Sequence, residues 1–108
     1  MENGKEKAMT ILEQLGGNRF LAMTGARNIT YDEDGTLAFF LPKKAKGINH
    51  IRIRIEPSDT YTVIFGYYSK RNLEYKPVKE VDMVYSDNLR EVFTINTGLD
   101  CTLGTAGA

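Results

Sequence analysis

The stretch GINHIRIRIEPSDTYTVIFGYY, residues 47–68, predicts two strands joined by a turn. In its first half, isoleucines at every second position alternate with basic side chains. Successive side chains of a strand point to opposite faces, so one face is apolar and the other basic. The apolar face carries Ile51, Ile53 and Ile55. The basic face carries His50, Arg52 and Arg54.

The second half of the stretch supplies the partner strand. Tyr61, Val63, Phe65 and Tyr67 share one of its faces. Pairing Ile53 opposite Val63 would join the two apolar faces into a core. The basic face would then lie beside Thr62 and Ile64 and face solvent or a partner, since one sheet with few helices is covered on one side only.

A helix and a short strand are predicted at the N-terminal end. Apolar residues at helical spacing predict a helix over Gly4–Leu15, and the stripe consists of Ala8, Ile11, Leu12 and Leu15. Gly16 and Gly17 end this helix, because glycine readily adopts the left-handed conformation of a helix end. The apolar run Phe20–Met23 predicts a short strand.

Further strands are predicted on both sides of the opening stretch. Ile29–Tyr31 and Leu37–Leu41 form a hairpin around Asp34-Gly35, a pair that favours a tight turn. Pro42 is expected to end the outgoing strand because it lacks an N–H group. The segment Leu73–Val84 is expected to hold one or two short strands, which Pro77 limits to an edge.

The last predicted element is a helix over Asp87–Thr97. Ser86 is its expected N-cap, Gly98 its C-terminal glycine, and Leu99 folds back on the helix. Its buried stripe consists of Leu89, Val92 and Phe93. The predicted fold class is α+β: a single antiparallel sheet of about four to five strands, with an N-terminal and a C-terminal helix packed on one face. Residues 1–103 form one domain, and residues 104–108 are expected to be a flexible tail.

The charge balance restricts the function. The chain has 14 basic and 14 acidic residues, which argues against a general polyanion binder and against an acidic mimic of DNA. No apolar run is long enough to cross a membrane, and the N-terminus lacks the apolar core of a signal peptide. Together with a single cysteine, Cys101, these features predict a cytoplasmic protein.

Catalytic and metal-binding motifs are not found in the sequence. One histidine and one cysteine cannot build a Cys/His zinc site, and His50 is interpreted as a surface histidine. The acidic segment Asp32–Gly35 lacks two ligands of a calcium loop and is interpreted as a solvated turn. Cys101 is interpreted as an inert small residue. The sequence therefore predicts a protein without catalytic residues, metal or cofactor.

The distribution of charge points to a binding surface. From Lys43 to Arg54 there are five basic residues, not counting His50, and no acid. Such a surface suits a protein interface or a local nucleic-acid contact, and a merely solvated strand face is the alternative. Tyrosines beside Lys70 and Arg71 add stacking capacity. The candidate partner-binding residues are Lys43, Lys44, Lys46, His50, Arg52, Arg54, Tyr68, Lys70 and Arg71.

Three motifs, ILEQLGGNRFLAMTGARN, KGINHIRI and VYSDNLREVFTINTGL, resemble a family of small proteins encoded by bacteriophages, prophages and conjugative elements. The likeness covers about Ile11 to Leu99, and LGGNRFLAMTGA is its most specific block. The resemblance implies an accessory protein in the cytoplasm of a bacterial host that binds a host or defence protein. A nucleic-acid-binding module is the alternative, and a second copy of the chain is a further candidate partner.

Overall fold

This computed structural model describes residues 4–99, except for the side chains of residues 43–45. Within that range the chain forms three helices and five strands. In order they are α1 (Gly4–Leu15), α2 (Asn18–Thr24), β1 (Arg27–Tyr31), β2 (Leu37–Ala45), β3 (Ile48–Ile55), β4 (Tyr61–Ser69), β5 (Glu74–Val84) and α3 (Leu89–Thr97).

The five strands form one antiparallel sheet in the order β1-β2-β3-β4-β5. Each strand pairs with the next along the chain, which is the simplest connection for antiparallel strands. Ile53 lies opposite Val63, as the opening stretch predicts. The α+β class and the single antiparallel sheet are confirmed.

The core lies between one face of this sheet and the helices. Phe20 of α2 contacts Phe39 of β2 edge to face, with ring centroids 5.4 Å apart, and contacts Phe93 of α3 at 5.1 Å. The isoleucine face of β3 and residues of α1 belong to the same cluster. The helical layer therefore covers one face, and the opposite face of the sheet has no helix of the described residues on it.

Most of the predicted core residues are buried. Leu12, Ile55 and Val92 are only partly buried and pack against the rim of the core. Phe20, Phe39 and Leu37 are fully buried although the helix and strand periodicities did not single them out.

The strand predicted at Phe20–Met23 is wrong, because this segment lies in helix α2. Gly17, with φ of 61°, precedes the helix, and Gly25, with φ of 71°, ends it by donating its N–H to the carbonyl of Leu21. Thr24 donates its hydroxyl to the carbonyl of Phe20, one helical turn earlier. A run of four apolar residues has no periodicity that separates strand from helix, and packing of Phe20 into the core decides the outcome.

Strand β1 begins at Arg27, two residues before its predicted start, and the bounds or lengths of β2, β5 and α3 also differ from the predictions, although β5 is an edge strand as expected. Strand β2 continues through Pro42, which stands at an irregularity in the pairing with β3, a position that tolerates a proline. Strand β5 is one strand of 11 residues, and Pro77 is accepted because this is an edge. Helix α3 begins two residues late, since Asn88 accepts the N–H of Tyr85 and closes a turn first.

The acidic segment before β2 is a turn, as predicted. Asp32 accepts the backbone N–H groups of Asp34 and Thr36 through Oδ1, at 2.9 and 3.0 Å. This bonding is typical of an Asp-initiated turn. The predicted tail and Cys101 lie outside the described residues.

Candidate binding surface on the open face of the sheet

We call the sheet face without helices the open face. One row of paired residues crosses it from edge to edge: Arg27, Phe40, His50, Gly66 and Pro77. The next rows place Arg52 beside Ile64 and Arg54 beside Thr62. The three basic residues of β3 therefore share this face, as their alternation predicts.

Four rings gather on the open face and form what we call the aromatic cluster: Phe40, His50, Tyr68 and Tyr75. The ring of Phe40 lies 4.6 Å from that of His50 and 5.9 Å from that of Tyr68, centroid to centroid. The rings of His50 and Tyr75 are 5.5 Å apart. All three pairs meet edge to face, the arrangement that the charge distribution of aromatic rings favours.

Arg52 lies at the side of this cluster. Its guanidinium carbon is 5.7 Å from the centre of the Tyr75 ring, within the range of a cation–π contact. The side chain is exposed. It therefore offers a positive charge at the surface while its position is set by an aromatic ring.

The Asn49 side chain extends the sheet and positions Tyr68. Its amide nitrogen donates to the carbonyl of Tyr68 at 2.9 Å, and its carbonyl oxygen accepts the N–H of Tyr68 at 2.8 Å. The amide thus replaces a pair of backbone hydrogen bonds between β3 and β4. This fixes the backbone that carries one ring of the aromatic cluster.

His50 is buried, so its interpretation as a surface histidine is wrong. Only 8% of the residue is exposed, and Nδ1 has no hydrogen-bond partner among the described residues. Burial, with a smaller effect from the neighbouring charge of Arg52, lowers the pKa of His50 below its ordinary 6.5. The imidazole is therefore mainly neutral at pH 7.

Arg54 is engaged in the β3–β4 turn. Its Nε donates to Glu56 Oε2 at 3.0 Å, and the hydroxyl of Thr62 donates to the same oxygen at 2.6 Å. The hydrogen bond from Thr62 and then that from Arg54 lower the pKa of the Glu56 carboxyl. Although Arg54 shares a face with Arg52, its charge is already paired.

Lys46 lies away from the open face. Its Nζ donates to the carbonyl of Ile95 at 3.2 Å, near the end of α3, where a cation is favoured by the helix dipole. Lys43 and Lys44 belong to β2, but their side chains lie outside the description. The predicted basic surface of β3 and the preceding loop is therefore divided in the structure.

A cleft opens beside the aromatic cluster, and we call it the basic cleft. Its volume is about 720 Å³, within the range of roughly 300–1,000 Å³ typical of ligand pockets. Phe40, Tyr67 and Tyr68 contribute aromatic walls. Its basic residues are Arg27, Lys70, Arg71 and Lys76, and Glu74 is the acidic residue among those lining it.

Sequence reasoning found part of this cleft. It identified Tyr68, Lys70 and Arg71. The lining residues that it missed are Arg27, Phe40, Asn49 and Lys76, and it also missed Tyr75 of the neighbouring aromatic cluster. Starting β1 two residues earlier would have brought Arg27 opposite Phe40. Lys76 and Tyr75 were missed because the alternation of residues 74–77 does not by itself reveal how β5 pairs with β4.

The described residues hold no group of three or more histidine, cysteine or acidic side chains arranged for a metal ion. Among the same residues, no helix is both long and apolar enough to cross a membrane.

Comparison of the chain with protein-family models, with curated proteins and with solved structures gave no match. The resemblance to proteins of phages and conjugative elements therefore stays an expectation from sequence motifs. The basic cleft and the open face are the features of the molecule that bear on its function.

Proposed function

We propose that the protein is a non-catalytic binding module that takes single-stranded nucleic acid in the basic cleft and across the neighbouring open face. The observation that carries the proposal is the meeting of four basic side chains with aromatic walls in one cleft. Phosphates and bases require these two kinds of group, and sequence-independent binding of single strands combines them.

The cations of the cleft are available to phosphates. No ion pair or hydrogen bond from another described residue engages the side chains of Arg27, Lys70, Arg71 or Lys76. Arg54, in contrast, is neutralised by Glu56 at the far end of β3. The chain is neutral overall, but positive charge is concentrated around the cleft, and phosphate binding depends on this local concentration.

The rings favour a single strand over a duplex. In a duplex the base faces are stacked on each other and cannot contact a protein ring. Phe40 and Tyr68 are half-buried and stand where the open face meets the cleft. Stacking of a base on such a ring contributes about 1–3 kcal/mol, so two rings suffice for measurable binding once phosphates are held.

The test is fluorescence anisotropy with a labelled oligothymidylate of 12 nucleotides at several salt concentrations. The double variant Arg27→Ala/Lys76→Ala should bind more weakly. Its plot of log affinity against log salt should be shallower by about 1.4, since each lost phosphate contact removes roughly 0.7 for single strands. The variant Tyr68→Leu should lose affinity while keeping the salt slope.

The matched control is Lys5→Ala/Arg19→Ala, which removes two exposed cations from the helices on the other side of the sheet. It has the same net charge as the cleft variant and should bind like the wild type. Equal affinity of the cleft variant and this control would contradict the proposal. Tighter binding of a duplex of the same length would do so as well.

A second candidate is a protein partner, which the resemblance to mobile-element proteins implies, in the form of a host or defence protein. The specific observation in its favour is on the edge of the sheet. Val78 and Met83 of β5 and Tyr85 just after it are 52%, 58% and 53% exposed. Exposed apolar side chains along an unpaired sheet edge are typical of interaction sites.

The two candidates respond to different changes. Val78→Glu with Met83→Glu should abolish capture of a protein partner and leave oligothymidylate binding unchanged, whereas the cleft variant should do the reverse. Capture through an apolar interface should also weaken little with salt. Self-association of the purified chain, lost in the same β5 variant, would identify a second copy as the partner.

A further inference from the structure

Tyr75 lies directly on the backbone of Gly66. A side-chain carbon at position 66 would stand 2.5 Å from both Cε1 and Cζ of the Tyr75 ring and would also overlap its hydroxyl. Gly66 is buried and sits at the centre of the open face, opposite His50. The glycine therefore leaves room for the close approach of this ring, which lies directly on the backbone of β4.

His50 forms one side of this space and carries an unused hydrogen-bonding atom. Its Nδ1 is buried without a partner among the described residues. Proteins rarely leave a buried polar atom unpaired, because the lost hydrogen bond to water is not replaced. Such an atom beside a nucleic-acid-binding surface points to a ligand that supplies the partner.

Little holds Tyr75 over this space. It belongs to β5, an edge strand, and residues 70–80 are exposed throughout. Its hydroxyl makes no hydrogen bond to another described residue, and the ring is held by contacts with His50 and Arg52. A ring in this setting can turn away without breaking a hydrogen bond of the sheet.

We propose that Tyr75 is a movable cover over a slot for one pyrimidine base, and that His50 Nδ1 hydrogen-bonds that base. The slot has Gly66 as its floor, with Phe40 and Arg52 at its sides. The inference rests on the proposed function and adds a preference among bases. A pyrimidine has a single six-membered ring, like the phenol ring that it displaces, whereas a purine is larger.

The preference is measured as the ratio of affinities for oligothymidylate and oligodeoxyadenylate of equal length. Free oligothymidylate stacks on itself less than free oligodeoxyadenylate does, and this difference affects the affinity ratio of any protein. The ratio is therefore compared between the wild type and its variants. His50→Phe keeps a ring of similar size but removes the nitrogen. It should lower the ratio about fivefold, the effect of one hydrogen bond. The control is Tyr31→Phe, an equally small change at an exposed tyrosine of β1 that does not line the cleft, and it should leave the ratio unchanged.

A spectroscopic arm separates this inference from the proposed function. In nitrogen-15-labelled protein, saturation with oligothymidylate should shift the His50 Nδ1 resonance, and the Tyr75 ring signals should move in the same titration. Shifts of the cleft amides at Arg27 and Lys76 without any change at His50 would overturn the slot and leave the proposed function standing. Absence of binding would overturn both, and an unchanged ratio in His50→Phe would overturn the slot alone.

Discussion

At the scale of single residues, strand alternation predicts correctly on which face of the sheet His50 lies. It cannot predict whether the residue is buried there. It lies on the open face with Arg52, yet it is buried. The cause is Gly66 across the strand boundary, which has no side chain and lets the Tyr75 ring close over the sheet. Burial of His50 thus depends on residues 16 and 25 positions further along the chain.

The buried histidine predicts a pH dependence of stability. Its pKa is lowered on folding, so the unfolded chain binds a proton more readily than the folded one. Stability is then fully present above pH 6.5 and falls as the pH drops through 6.5 toward the lowered pKa of the folded state. In urea unfolding at pH 7.5, 6.5 and 5.5, wild type should lose stability, and His50→Phe should lose less.

The difference between the two pH profiles reports on His50 alone, because the chain has one histidine and both proteins carry the same carboxylates. Parallel pH profiles for the two proteins would mean that the folded and unfolded states protonate His50 equally. That result would mean that the imidazole is exposed to solvent in the folded protein.

Gly66 and Tyr75 predict a coupled pair of substitutions. Gly66→Ala should destabilise the protein by only about 0.5–1 kcal/mol, since the added methyl group displaces a loosely held tyrosine ring and meets no backbone. In a Tyr75→Ala background the same change should be nearly neutral. Urea unfolding of the four proteins of this double-mutant cycle gives the coupling energy. Additive effects would show that Gly66 is needed for its backbone and not for the ring above it.

At the scale of elements, helix α2 shows what tertiary packing adds to local sequence. The run Phe20–Met23 predicts a strand, but the segment is helical, and Phe20 fills the space between Phe39 and Phe93. These three aromatic residues lie on a helix, a strand and a second helix. Their meeting determines the conformation of α2, and no pattern within seven residues could reveal it.

Truncation of Phe20 tests this role. Phe20→Ala should lower the free energy of unfolding by about 3–5 kcal/mol, because it opens a cavity between two other rings. The control is Ile95→Ala on α3, which removes a side chain that is 62% exposed and should change stability by less than about 0.5 kcal/mol. A similar small loss for both variants would contradict the position of Phe20 in the core.

At the scale of the whole molecule, the fold was more predictable than the site. Alternation in residues 51–55 and 61–67, together with two apolar helical stripes, determines which faces meet, so the class, the sheet and the helical layer follow. The basic cleft is formed by the beginning of β1, the middle of β2 and the β4–β5 hairpin. Register irregularities in β2 and β5 set how these segments meet, and a sequence does not reveal them.

The distribution of charge on the folded surface also differs from what the sequence predicts. The balance of 14 basic and 14 acidic residues argues against a general polyanion binder, yet four cations and one acid line the basic cleft. The continuous basic run from Lys43 to Arg54, which looks like the main positive surface, is divided instead. Lys46 lies near the end of α3, and Arg54 is paired with Glu56.

The proposed function requires a single strand to lie in the basic cleft and against the aromatic cluster. The most direct measurement is a titration of nitrogen-15-labelled protein with oligothymidylate, followed by the backbone amide resonances. We expect the largest shifts at the amides of Arg27, Phe40, Asn49, Tyr68 and Lys76, with α1 and the outer residues of α3 unchanged. Shifts confined to the apolar edge of β5, or no shifts with the oligonucleotide in excess, would contradict it.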